Sequence, residues 1–237
     1  MVNSAAKDPK DEASNENEGA TVTQAADDTQ DTTNTEETEV TEDAVDTSDE
    51  DELDANKATD ISEDAALTRD NSTAELTVLN TGKFVVGTDI SVGRYVITGN
   101  GSGNLFINNE EGESYVNEIL SGGDLGVKSV TTDIIDGDTI EISEISNATF
   151  TPAETVLYTD TLSTGTWIVG LDFPPGRYDI SSSDGNGNLF IYDKSGWAEV
   201  NEILGGGNFG IEKVTADLKE GYKIIISGMN EVKFVEK

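Results

Sequence analysis

TGKFVVGTDISVGRYVI at residues 81–97 returns as TGTWIVGLDFPPGRYDI at residues 164–180. After a one-residue insertion near Gly185, the motifs GNLFI, VNEIL, a Gly-Gly pair, Val-Thr, Ile-x-Ile-Ser and a final Phe recur as well. Nearly half of the aligned positions are identical. Self-similarity on this scale marks the duplication of a unit that folds by itself. Two copies are therefore expected, residues 76–153 and 161–237, joined by a short linker around Ala153–Asp160.

Inside each copy the apolar residues fall in short runs divided by Gly, Asn, Asp and Pro, which is the punctuation of strands. In the first copy strands are expected at Lys83–Val86, Arg94–Thr98, Asn104–Ile107, Val127–Thr132, Thr139–Ser143 and Ala148–Thr151. In the second they are expected at Trp167–Val169, Arg177–Ser181, Asn188–Tyr192, Ile211–Ala216, Lys223–Ser227 and Val232–Val235. Tyr115–Leu120 and Glu199–Leu204 read equally as a strand or as one helical turn. Antiparallel neighbours need only turns between them. The expected class is thus all-β, a small β-sandwich or barrel module present twice. SVGRY and PPGRY read as turns in which Gly93 and Gly176 take positive φ, and the pairs Gly122–Gly123 and Gly206–Gly207 are expected to do the same or to allow close backbone approach. Neither pair leads into a helix followed by Lys and Ser or Thr, which argues against a phosphate loop.

The 237 residues carry a formal net charge of −34, unevenly spread. Of the 48 acidic residues 24 precede Leu76, beside only Lys7, Lys10, Lys57 and Arg69, and no aromatic residue lies there. Residues 1–75 are expected to be a disordered acidic spacer rich in Thr, Asp and Glu, because they cannot bury enough apolar surface to offset the entropy of ordering. Every Phe, Trp and Tyr lies beyond it, so any core must be built there. Cysteine and histidine are both absent. Disulfides, thiol and imidazole catalysis and the usual zinc ligands are excluded with them. The negative charge and the scattered Lys and Arg argue against nucleic acid as a partner. No apolar run is long enough to span a membrane as a helix. Met1–Glu12 lack the apolar stretch of a signal peptide, so an exported form is expected to have lost its leader. The opening MVNSAAKDPKDEAS also fits a start just after a lipidated cysteine. Neither a metal nor a cofactor is expected: Asp133, Asp136 and Asp138 are only partly repeated in the second copy. Asp184, Asn186 and Asn188 imitate the first ligands of a calcium loop, but Leu189 stands where that loop needs glycine.

The pattern G-x-(aromatic)-x-V-G-x-D-I-x-x-G-R-Y, followed by G-x-G-N-L and by (L/I)-x-x-G-D-x-I-x-I, resembles a β module of secreted proteins and lipoproteins of Gram-positive bacteria. The resemblance spans both copies. It implies an extracellular place at the cell surface, with a polar spacer between a lipid anchor and the modules. It implies no activity. The lipobox cysteine of that layout is absent, so any anchor would precede this chain.

Comparing the copies singles out candidate site residues. Arg94 with Asp89, and Arg177 with Asp172, recur at one spacing. They are expected to brace turns as ion pairs, or else to present guanidinium forks beside Tyr95 and Tyr178 to a carboxylate or sugar. Asn117–Glu118 and Asn201–Glu202 lie between apolar residues and are expected to enter a buried polar network with that Arg. As catalytic acids, Glu118 and Glu202 would need to flank one cleft, which so small a module rarely provides, and no catalysis is expected. Phe84 matches Trp167, while Tyr95, Phe106 and Phe150 match Tyr178, Phe190 and Phe234, which points to core roles. Trp197, Tyr192 and Tyr222 instead replace Glu113, Asn108 and Asp138 of the first copy. Exposed aromatics of this kind anchor interfaces and stack on sugar rings. The candidate ligand-binding set is therefore Trp197, Tyr192, Tyr222, Arg177, Arg94, Asn201 and Glu202. The expected function is surface-anchored or secreted binding or adhesion, with a cell-wall glycan or another surface protein as partner. The alternative is a structural cell-envelope component that self-associates.

Overall fold

The chain, seen in a computed structural model, is described for residues 67–122, 125–206 and 209–237. The acidic segment up to residue 66 lies outside the described residues. Those residues form sixteen strands and no helix, an all-β architecture of several sheets.

The first half contains β1 (Thr77–Leu79), β2 (Gly82–Val85), β3 (Gly93–Asn100), β4 (Ser102–Asn108), β5 (Ser114–Ser121), β6 (Ser129–Ile134), β7 (Thr139–Ser143) and β8 (Asn147–Pro152). The second contains β9 (Thr161–Leu162), β10 (Gly165–Ile168), β11 (Gly176–Ser182), β12 (Gly187–Tyr192), β13 (Ala198–Leu204), β14 (Val214–Leu218), β15 (Lys223–Ser227) and β16 (Val232–Glu236). In the first half the strand orders are β1-β8-β3-β6 and β2-β7-β4-β5; in the second they are β9-β16-β11-β14 and β10-β15-β12-β13. Every ladder between strands within each half is antiparallel.

Period-two alternation places the side chains. In β4, Leu105 and Ile107 are buried while Asn104, Phe106 and Asn108 face outward; in β7, Ile140 and Ile142 are buried. These four meet Tyr95, Ile97 and Phe150 from the other sheet in one apolar cluster. The second half gathers Tyr178, Ile180 and Phe234 with Leu189, Ile191 and Ile224 in the same way. Each such side chain contributes about 1.5–3 kcal/mol on leaving water. Tyr115–Leu120 and Glu199–Leu204, ambiguous in sequence, are strands within β5 and β13, where each pairs with a GNLFI strand.

One contact joins the halves into a continuous eight-stranded sheet, β1-β8-β3-β6-β10-β15-β12-β13. Thr131 of β6 lies parallel to Gly165 of β10, and the Thr131 amide donates to the Thr164 carbonyl at 3.1 Å. Glycine is required there twice over. Gly165 has φ +147, and a Cβ would stand 2.1 Å from the Thr131 carbonyl oxygen.

Several glycine expectations need correction. Gly93 has positive φ but Gly176 does not, and both open strands β3 and β11. What they exclude is a Cβ, which at Gly176 would strike the Tyr178 ring at 2.9 Å and at Gly93 would strike Ala74 and Asn71 at 2.7 Å. Gly122 and Gly206 have neither positive φ nor a neighbour that a Cβ would meet; their partners Gly123 and Gly207 lie outside the described residues.

Candidate functional site

A cluster of charged side chains around a buried arginine sits where β6 meets β10. Arg94, 3% exposed, donates to the Asp133 carboxylate at 2.7 Å and to the Thr166 carbonyl at 2.8 Å, and lies 3.5 Å from the Asp172 carboxylate. Its guanidinium covers the Trp167 ring, 5.0 Å from the centroid. Arg69 closes the cluster from the other side, 2.7 Å from Asp172 and 2.9 Å from Asp133. Two cations and two anions thus balance, with Arg94 and Asp172 buried and the Asp133 side chain reaching solvent at 39% exposure, so that the buried guanidinium has the partners it needs. Burial lowers the Arg94 pKa, against the opposing pull of Asp172 and Asp133. Asn71 fixes the backbone beneath, accepting from the Arg94 amide at 2.7 Å and donating to the Arg94 and Ala153 carbonyls at 3.1 Å.

This corrects the expected ion pairs. Arg94 does not pair with Asp89, nor Arg177 with Asp172. Each Arg pairs instead with the Asp directly across the ladder, Arg94 with Asp133 and Arg177 with Asp217, both at 2.7 Å. The turn acids brace the turn through the backbone, with Asp89 accepting from the Val85 amide and Asp172 from the Ile168 amide, each at 2.8 Å.

Beside the junction, β5 of the first half overhangs the outer face of the β10-β15-β12 sheet, leaving a groove of about 350 Å³. Its lining includes Phe190 and Tyr192, whose rings stack at 6.1 Å and 13° between planes. Asn188 and Ser227 share their side, and Tyr115, Asn117 and Glu118 of β5 also line the groove. Lys223 lies over the Tyr192 ring at 5.5 Å. Glu118 is buried, and its Oε1 accepts from the Gly228 amide at 3.2 Å. Burial pushes its pKa up, against the opposing influence of Ser227 and Gly228. The expected network with Arg94 is replaced by this link across the junction. Tyr115 donates to Asp138, and burial followed by that carboxylate raises the phenol pKa.

The remaining candidates are dispersed. Asn201 is exposed and opposite Phe190 in the β12–β13 ladder, so it shares the outer face. Glu202, opposite Leu189, points to the other face at the sheet margin and is exposed, unlike its counterpart Glu118. Trp197 is 74% exposed at the tip of the β12–β13 hairpin, where Asp193 accepts from its amide at 2.9 Å. It does not line the groove. Tyr222, expected to be exposed, is buried, and with Glu199 and Lys219 it lines a separate cleft of about 320 Å³. Phe106 and Phe190, expected in the core, are half-buried on outer faces. Tyr115 and Asp138 correspond to Glu199 and Tyr222, so the phenol and the acid exchange strands between the halves. Among the described residues no three acidic side chains gather as a cation site. Sequence reasoning missed Phe190 and Tyr115 as groove residues and Arg69 as a junction residue. Compared with known protein families, with curated proteins and with solved structures, the chain matches none.

Two predictions follow from burial. Arg94→Ala should lower unfolding stability by about 3 kcal/mol, the low end for breaking a buried pair because Arg69 still faces both acids; Arg177→Ala should cost under about 1 kcal/mol, as exposed pairs do. Urea denaturation of the two variants checks this, and equal losses would contradict it. For Glu118, a raised folded pKa means that its favourable contribution is complete below the ordinary value of about 4.3 and is lost as pH rises through the folded value. Glu118→Gln keeps an acceptor for Gly228 without the charge. Its stability relative to the native chain should therefore be higher at pH 7 than at pH 4, and a difference independent of pH would contradict the assignment.

Proposed function

We propose that the chain is a non-catalytic extracellular binding protein whose junctional groove takes a neutral glycan. In this reading the two halves are copies of one β-sandwich module, and the acidic spacer holds them away from a Gram-positive cell surface, where an anchor preceding this chain would fix it. The likeness of both sequence copies to modules of secreted proteins and lipoproteins supports the location. The composition of the spacer and the absence of His and Cys support the rest.

The observation that carries the ligand class is the stacked pair Phe190 and Tyr192 on the groove floor, with the Asn188 amide beside them on the same face and Asn117 of β5 also lining the groove. Aromatic faces hold the C–H faces of a sugar ring, and amides serve both donor and acceptor needs of its hydroxyls. The groove volume lies at the low end for small-ligand sites. Its lining contains Glu118, and the one cation described beside it, Lys223, lies over the Tyr192 ring, a balance that favours a neutral ligand over a phosphate or a carboxylate. Trp197 stands apart on its hairpin and is available for a protein contact.

Binding of the whole chain to an array of neutral glycans and to cell-wall fractions tests this. Phe190→Ala, Tyr192→Ala and Asn117→Ala should each weaken binding by about tenfold, or about 1.4 kcal/mol, while Trp197→Ala leaves it unchanged. No glycan bound, or binding lost only with Trp197→Ala, would overturn the assignment.

A further inference from the structure

The junction has two different faces, and the repeat supplies each with a counterpart elsewhere in the chain. From the first half it uses the β6 margin at Thr131, the Arg94–Asp133 pair and Glu118; from the second it uses Gly165, the Thr166 carbonyl, Asp172 and the Gly228 amide. By the repeat, the first set corresponds to Thr215, Arg177, Asp217 and Glu202, and the second to Gly82, Lys83, Asp89 and Glu144.

Among the described residues both counterparts lie at sheet margins. Strand β14 ends its sheet, Thr215 and Glu202 are exposed, and the Arg177 and Asp217 side chains are 56% and 59% exposed while keeping the 2.7 Å bond of their buried equivalents. Strand β2 ends the other sheet. Gly82 has φ +158, close to the +147 of Gly165, and a Cβ there would meet only the Phe84 ring of its own strand. Asp89 is exposed and held by the Val85 amide as Asp172 is held by Ile168. Glu144, with φ 64, is the one non-glycine residue at positive φ among the described residues, so its amide is set in the same backbone shape as that of Gly228, φ 76.

We propose that a second copy of this chain docks on the β14 margin through its β2 margin, its Asp89 meeting Arg177 and its Glu144 amide meeting Glu202. The two faces are unlike and lie on different halves, so the contact is heterologous. It runs head to tail and extends into a chain of molecules instead of closing as a two-fold dimer. Each contact would set Asn201 against Phe106, as Asn117 is set against Phe190 inside the chain, and so repeat the groove between molecules. The contact is weaker than the internal one for three reasons. Phe84 replaces Trp167, no second Arg corresponds to Arg69, and the covalent tether that gives the internal halves a millimolar effective concentration is missing.

Sedimentation velocity of the whole chain from about 10 μM to about 1 mM, the range in which an untethered copy of such a contact should form, tests the proposal. The native chain should show progressive, concentration-dependent growth without a single end state. Arg177→Glu and Asp89→Arg, both at exposed positions, should each reduce the association constant at least tenfold. An equimolar mixture of the two should restore association, since the altered faces complement each other, and this also shows that both variants are folded. A native chain that remains monomeric throughout, single variants that associate like the native chain, or a mixture that stays dissociated would each overturn it.

Discussion

A guanidinium held out of water between two carboxylates is the constraint on which the rest of this structure depends. Burying Arg94 alone would cost several kcal/mol. Asp133 from its own half, Asp172 from the other half and Arg69 from the entering chain together make that burial tolerable. Because one acid comes from each half, the ion cluster fixes the halves in one relation. The parallel contact of Thr131 with Gly165 and the hydrogen bond from the Gly228 amide to the Glu118 carboxylate then follow the same relation. Two small β units with separate cores would otherwise be free to move about their linker.

The groove is a product of that relation and belongs to neither half alone. Its aromatic floor lies on β12 and its polar wall on β5, strands of different halves. The junction does more than place two similar sequences side by side. It sets one half's sheet margin over the other half's outer face, and equivalent residues acquire different environments: Glu118 is buried and Glu202 exposed, Arg94 shut in and Arg177 in solvent.

This explains what sequence could and could not reveal. Strands β7 and β15 coincide with the expected ranges, since the alternating isoleucines of TIEIS and the isoleucine run of KIIIS, each bounded by turn residues, leave little choice. Strands β1 and β9 are three and two residues long, too short to show any alternation. The ion pairs were misread because Asp89 is near Arg94 in sequence, whereas the true partner Asp133 is brought opposite by the ladder. Tyr192 was identifiable because it replaces Asn108 of the first copy. Phe190 was hidden because it matches Phe106, and an aromatic found in both copies reads as core. Only the register shows that both point outward. Arg69 lay in a stretch that composition assigns to the spacer.

The central claim is that the halves form one fixed body and thereby build the groove. Native-state hydrogen exchange at the Thr131 and Gly228 amides, which donate across the junction to Thr164 and Glu118, tests it most directly. Both amides should exchange only with the larger opening events that expose core strands such as β3 and β12. Exchange at the rate of exposed linker amides, with the core amides still protected, would show the halves separating freely and would contradict the account.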